Sequence, residues 1–134
     1  MTIQQCYEAI GSPYEEVFQR LRSEQLIGKF MVKFLDDPSF WSLLTAMESG
    51  DKKAAVLAAH TLKGVSQNLG FIDLYEASAK LTEALRKEED AAKLLDAVKA
   101  AYEKTVSAIS RYQKETAQKQ DGTWTKREEE RIWL

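Results

Sequence analysis

The sequence predicts an all-α protein: an up-down antiparallel four-helix bundle with a short extra helix near its N-terminus. Three observations point there. Apolar residues recur at helical spacing along almost all of the 134 residues, with no strand alternation and no hairpin signal. Capping residues stand ahead of the apolar stripes. The links between stripes are only a few residues long, which forces consecutive helices antiparallel.

The opening stretch MTIQQCYEAIG has no decisive pattern and reads as a short turn or an extended arm. A short helix follows over 12–22. Ser12 can cap it, Pro13 suits the first helical position, and Glu15 completes a capping box. Residues 23–49 read as one kinked helix or two helices end to end. Ser23 caps the first part, whose stripe is Ile27, Phe30, Met31 and Phe34. Asp37-Pro38 interrupts it, because Pro38 has no N–H for the carbonyl of Phe34. Trp41, Leu44 and Met47 resume the stripe, and Gly50 ends it.

Asp51 caps a helix over 51–69, and Gly70 terminates it. Asp73 with Glu76 predicts a capping box for a helix over 73–87, with Phe71, Leu74, Ser78, Leu81 and Leu85 on one face. Asp90 caps the last helix, 90–117, whose stripe is Leu94, Leu95, Val98, Tyr102, Thr105, Ile109 and Tyr112. Residues 1–117 thus form one domain. The mixed-charge remainder, 118–134, carries Trp124 and Trp133. It reads as a frayed tail; a short helix capped by Thr125 and Glu128, and packing on the bundle or a partner, are the alternatives.

Composition excludes several classes. A net charge of −2 with both signs interspersed sets up no strong field for nucleic acid or an anionic membrane. The apolar runs are far shorter than a membrane span. No basic-then-apolar leader stands at the start, and the expected location is the cytoplasm. The single cysteine, Cys6, excludes an internal disulfide and fits a reducing compartment.

The stretch AAHTLKGVSQNLG, from Ala58 to Gly70, holds the only histidine. On a helical wheel Ala55, Ala58, Ala59, Leu62, Val65, Ser66 and Leu69 form the core face. His60 lies roughly 200° around from Leu62 at about 100° per residue, so it points away from the core. Val56, Lys63, Gly64 and Gln67 share its strip, with Leu57 and Asn68 along one edge. An exposed histidine taken alone is an ordinary surface residue. Its neighbours argue for more. A helical glycine costs about 1 kcal/mol against alanine, and Gly64 removes the side chain that would crowd the imidazole. Lys63 puts an ammonium one turn away, able to pair with an anion on the ring. Gln67 adds a neutral hydrogen-bonding group. A neutral imidazole nitrogen is a competent nucleophile toward phosphorus at cellular pH. The sequence shows no second histidine, no phosphate-binding glycine loop and no carboxylate cluster with metal spacing.

The run AHTLKGVSQNLG resembles the signature of histidine-containing phosphotransfer (HPt) domains, with His60, Lys63, Gly64, Leu69 and Gly70 in place. The resemblance spans roughly 23–114. It implies a phosphorelay intermediate that takes phosphoryl from one receiver aspartate and gives it to another. His60 would be the carrier, Lys63 would help hold the phosphate, Gly64 would open access, and Gln67 is a weaker candidate. In the family a polar side chain of the next helix often orients the ring, which here points to Thr82 or Glu83. The implied partners are response-regulator receiver domains and a hybrid sensor histidine kinase. The chain would carry no cofactor, the receiver supplying Mg²⁺, and would act as a monomeric carrier, not an enzyme. Docking would use Val56 and Leu57, with Tyr14, Phe18 and Ile27 as further candidates; for Phe18 and Ile27 core packing is the expected role. Two alternatives are the phosphoacceptor module of a chemotaxis-type kinase and a helical adaptor that never carries phosphate.

Overall fold

The computed structural model describes residues 1–119. Its elements are α1 (Ile3–Ile10), α2 (Tyr14–Leu21), α3 (Glu24–Lys33), a 3-10 turn (Phe34–Asp36), α4 (Ser39–Ser49), α5 (Lys52–Leu69), α6 (Ile72–Arg86) and α7 (Ala92–Lys119). The protein is all-α among the described residues, as expected. α5 packs against α4 and α6, α6 also against α7, and α3 and the 3-10 turn against α7. Trp124, Thr125, Glu128 and Trp133 lie outside the described residues.

The opening stretch is a helix and neither a turn nor an arm. Thr2 Oγ1 accepts the N–H of Gln5 at 3.0 Å, and Gln5 Oε1 accepts the N–H of Thr2 at 2.8 Å, which makes a capping box. An eight-residue helix is marginal alone. Burial of Ile3, Cys6, Tyr7 and Ile10 at helical spacing holds it, with α7 as its main support. The Tyr7 hydroxyl donates to the carbonyl of Leu69 at 2.7 Å. Cys6 is free, and burial pushes its thiol up to about 11.

Two expected caps serve other partners. α2 begins at Tyr14 after Pro13, with no side-chain cap. Ser12 Oγ accepts the N–H of Ile72 instead, at 3.3 Å. That bond satisfies the first turn of α6, whose own N-cap, Phe71, supplies none. The box expected of Asp73 and Glu76 does not form; the Asp73 carboxylate pairs with Lys104 at 3.4 Å. Ser23, Asp51 and Asp90 do cap, accepting the N–H groups of Leu26, Ala54 and Ala92.

Asp37-Pro38 divides 23–49 into α3 and α4, as one of the two readings has it. Asp37 Oδ1 accepts the N–H of Ser39 at 2.9 Å and restarts the helix there. The restart moves the apolar phase by one residue. Phe40, Leu43 and Ala46 are buried, while Leu44 and Met47 are half-buried and Trp41 is 61% exposed. Phe40 stacks on Tyr102 with centroids 3.8 Å apart, and Trp41 stands edge-on to Phe40 at 5.3 Å. Phe30, expected in the stripe of α3, is also exposed, at 38%.

α6 and α7 bury the expected faces. Phe71, Leu74, Ser78, Leu81, Val98, Tyr102, Thr105 and Ile109 are buried. Ser78 Oγ has no hydrogen-bond partner among the described residues. A buried hydroxyl without a partner costs free energy that an apolar replacement recovers. Ser78→Ala is expected to raise stability in urea unfolding by about 1 kcal/mol. A lower unfolding midpoint would show that this hydroxyl is bonded in solution.

Candidate functional site

The site is built on α5. Asp51 Oδ1 accepts the N–H of Ala54 at 3.1 Å at one end. Gly70, at φ 71°, closes the other in the left-handed conformation. A Cβ at Gly70 would also run into Val17 Cγ2, so α2 rests directly on this turn. The Arg20 guanidinium donates to the carbonyls of Gln67 and Asn68 at 3.1 and 3.2 Å. It fills the place of a C-terminal cap.

Ala55, Ala58, Ala59, Leu62, Ser66 and Leu69 are buried, and Val65 is half-buried. The Ser66 hydroxyl is satisfied within the helix, donating to the carbonyl of Leu62 at 2.7 Å. His60 is exposed on the opposite side, and neither ring nitrogen has a hydrogen-bond partner among the described residues. Lys63 and Gly64 are half-buried, and Gln67 is exposed on the same strip. None of the three is hydrogen-bonded or ion-paired to His60 among the described residues.

A Cβ built at Gly64 meets nothing within 4 Å among the described residues. Packing therefore does not require this glycine, unlike Gly28, where a Cβ would come within 3.1 Å of Ile3 Cδ1. The backbone at Gly64 is open to whatever approaches His60.

His60 closes one end of a shallow groove between the first turns of α5 and the last turn of α6. Val56, Leu57 and Leu85 give it apolar surface. Lys52, Lys53 and Arg86 bring three cations, and Glu88 one carboxylate. Lys52 Nζ pairs with Glu88 Oε1 at 2.9 Å, which holds the Glu88 carboxyl below its ordinary value. Arg86 faces Glu83 at 3.8 Å, and Lys53 is in no ion pair among the described residues. Lys63, Gly64 and Gln67 lie beyond the other side of His60, outside the groove.

Neither residue expected to orient the ring lines this groove. Thr82 is buried and donates its hydroxyl to the carbonyl of Ser78 at 2.7 Å. Glu83 is exposed between Arg86 and Lys87. Side chains of a helix lean toward its N-terminus, so His60 meets the turn of Val56, which faces Leu85 and Arg86 across the helix pair. Sequence reasoning missed Lys52, Lys53, Arg86 and Leu85. The signal for the first two was present: lysines in a helix's first turn oppose the helix dipole. The α6 residues follow only from how the two helices pair.

Among the expected docking residues, Leu57 is 67% exposed and Val56 half-buried. Ile27 is fully buried, as its core role requires. Phe18 is not a core residue: it is 42% exposed, with its ring 6.0 Å from that of the half-buried Tyr14.

No helix among the described residues is long and apolar enough to cross a membrane. No group of three or more His, Cys, Asp or Glu among them could hold a metal ion. Comparison with curated proteins and with solved structures gives no significant match. A family model does match: the Hpt domain, over residues 35–108. That span takes in α4, α5 with His60, α6, and α7 as far as Ala108. It covers more than half of the 134 residues, and the chain belongs to the Hpt domain family, the phosphotransfer carriers of two-component signalling that work with kinases and receivers.

Proposed function

We propose that the protein carries a phosphoryl group on His60 between the aspartates of two receiver domains in a phosphorelay. The observation that supports this best is the setting of the chain's only histidine. It stands exposed on α5, one turn from a glycine that packing does not require.

The step balances simply. A lone pair on one ring nitrogen of His60 attacks the phosphorus of the receiver's aspartyl phosphate. The P–O bond to the aspartate breaks as the N–P bond forms, and the aspartate leaves as a carboxylate. The other ring nitrogen keeps its proton, and the negative phosphoryl group offsets the charge developed on the ring. Transfer to the second receiver runs the same step in reverse. Phosphoryl transfer needs chiefly positioning and charge neutralisation. In this reading the receiver supplies its acidic pocket and Mg²⁺, and the bundle supplies a fixed nucleophile with open access. Lys63 pairs with the phosphoryl group once it is on the ring. Gln67 is a further polar group on the same strip. A hybrid sensor histidine kinase feeds the relay, and the protein acts in the cytoplasm as a monomer.

Incubation with each radiolabelled phospho-receiver of the same organism tests the proposal. The parent is expected to take acid-labile, base-stable label and to pass it to a second receiver. His60→Gln should fold normally and take none; label retained on that variant would sink the assignment. Gly64→Gln should slow transfer by at least about tenfold, since misplacement of the approaching group is costly. Its melting temperature should hold or rise, by up to roughly 3–5 °C. Unchanged transfer would mean the glycine is not there for access. Lys63→Ala should leave the melting curve within about 0.5 kcal/mol of the parent. It should shorten the lifetime of phosphorylated His60 by a few-fold to about tenfold, less so at high salt. A large loss of stability with a normal phosphate lifetime would make Lys63 a structural residue.

A further inference from the structure

The groove on the N-terminal side of His60 is not explained by the nucleophile, the glycine or Lys63. Three cations and one carboxylate line it, in a chain whose net charge is −2. Glu88 holds Lys52 and Glu83 faces Arg86, so Lys53 is the cation left for an acidic partner at this place. Local charge of that kind orients an encounter.

The position of two of the cations is a second, independent observation. Lys52 and Lys53 occupy the first turn of α5, which contains no acidic residue. Cations there oppose the helix dipole, at roughly 0.3–1 kcal/mol for each exposed charge. Fold stability alone would favour Glu or Asp. Lys52 is partly offset by Glu88, whereas Lys53 is in no ion pair among the described residues. Residues that break a local rule around one surface point to a use for that surface.

We propose that this groove, through Lys53 and the Lys52–Glu88 pair, selects and orients the receiver domain by taking a carboxylate-bearing segment beside its phosphoacceptor aspartate. The proposal rests on the reading that His60 exchanges phosphoryl with a receiver. The exposed Leu57 supplies the apolar contact next to the charges. Glu88 tempers the groove by holding one ammonium at 2.9 Å; a partner carboxylate competes with it for Lys52. These residues set docking, and the chemistry at His60 is unchanged by them.

The test uses the full chain and the receiver domain that labels the parent fastest, with transfer rates measured against receiver concentration. Lys53→Glu is expected to raise the half-saturating concentration by roughly three- to tenfold and to leave the maximal rate within about twofold. Its melting temperature should hold or rise, because the new carboxylate suits the helix N-terminus. Glu88→Gln is expected to lower the half-saturating concentration. Both differences should shrink as ionic strength rises. Lys114→Glu, an equal change of net charge at an exposed site on α7, should have no such effect. Unchanged half-saturation in both groove variants overturns the proposal, as does an equal shift in Lys114→Glu. A fall in maximal rate alone overturns it too, since the groove would then act on the transfer step. Sensitivity of the parent to inorganic phosphate at constant ionic strength, with both groove variants at parental half-saturation, would make this a small-anion site and not a docking surface. Failure of the parent itself to take label from any receiver is a different result: it removes the phosphorelay reading on which the groove's role depends.

Discussion

Burial of one narrow face of α5 is the constraint on which the rest of the molecule depends. Ala55, Ala58 and Ala59 carry no bulk, so α4 and α6 close tightly on that helix. Leu62 and Leu69 fill the remaining space. The rotation of α5 is then fixed, because turning it by one position would drive Lys63 inward. An unpaired buried ammonium costs on the order of several kcal/mol. Tyr7, Val17 and Arg20 secure the far end through Leu69, Gly70 and the last carbonyls. His60 owes its outward position to this packing, since it makes no hydrogen bond or ion pair among the described residues.

Much of this was legible in the sequence because α5 is long and cleanly two-sided. Its cap at Asp51, its terminator at Gly70, its core face and its exposed strip all follow from a period of 3.6 residues. The family resemblance rests on the same stretch. Elsewhere a contact between distant segments, or a local restart of the helix, overrules the rule read along the chain. Ser12 looks like the cap of α2 and instead satisfies Ile72, far along the chain. Asp73 looks like a cap and instead meets Lys104. The capping box of α1 is visible in Thr2 and Gln5, yet eight residues do not hold a helix without the tertiary burial that only the fold supplies. Trp41 falls outward because the helix restarts at Ser39, which a stripe running straight across Pro38 does not allow for. The groove wall was illegible for a related reason: Leu85 and Arg86 reach His60 only through the pairing of two antiparallel helices.

Departures from good helix design gather on one surface. Gly64 weakens α5 where nothing crowds it. Lys52 and Lys53 stand at the wrong end of the helix dipole. Glu88 adopts φ 57°, a left-handed conformation that glycine adopts far more easily, and there meets Lys52. Arg22 shares that conformation away from this surface, at the end of α2, so left-handed backbone alone does not mark the site. His60, the open backbone at Gly64 and the charged groove lie side by side along α5. The buried side of the same helix obeys the usual rules throughout.

The sequence holds a single imidazole, which permits an unambiguous measurement of the central claim. In a sample labelled with ¹⁵N-histidine, the ring-nitrogen resonances belong to His60 alone. Addition of a phosphorylated receiver that labels the protein is expected to replace them with those of an N-phosphoimidazole. A second, unphosphorylated receiver should restore the original pair. Ring resonances that stay unchanged while the protein gains phosphate would place the phosphoryl group elsewhere and contradict the role of His60.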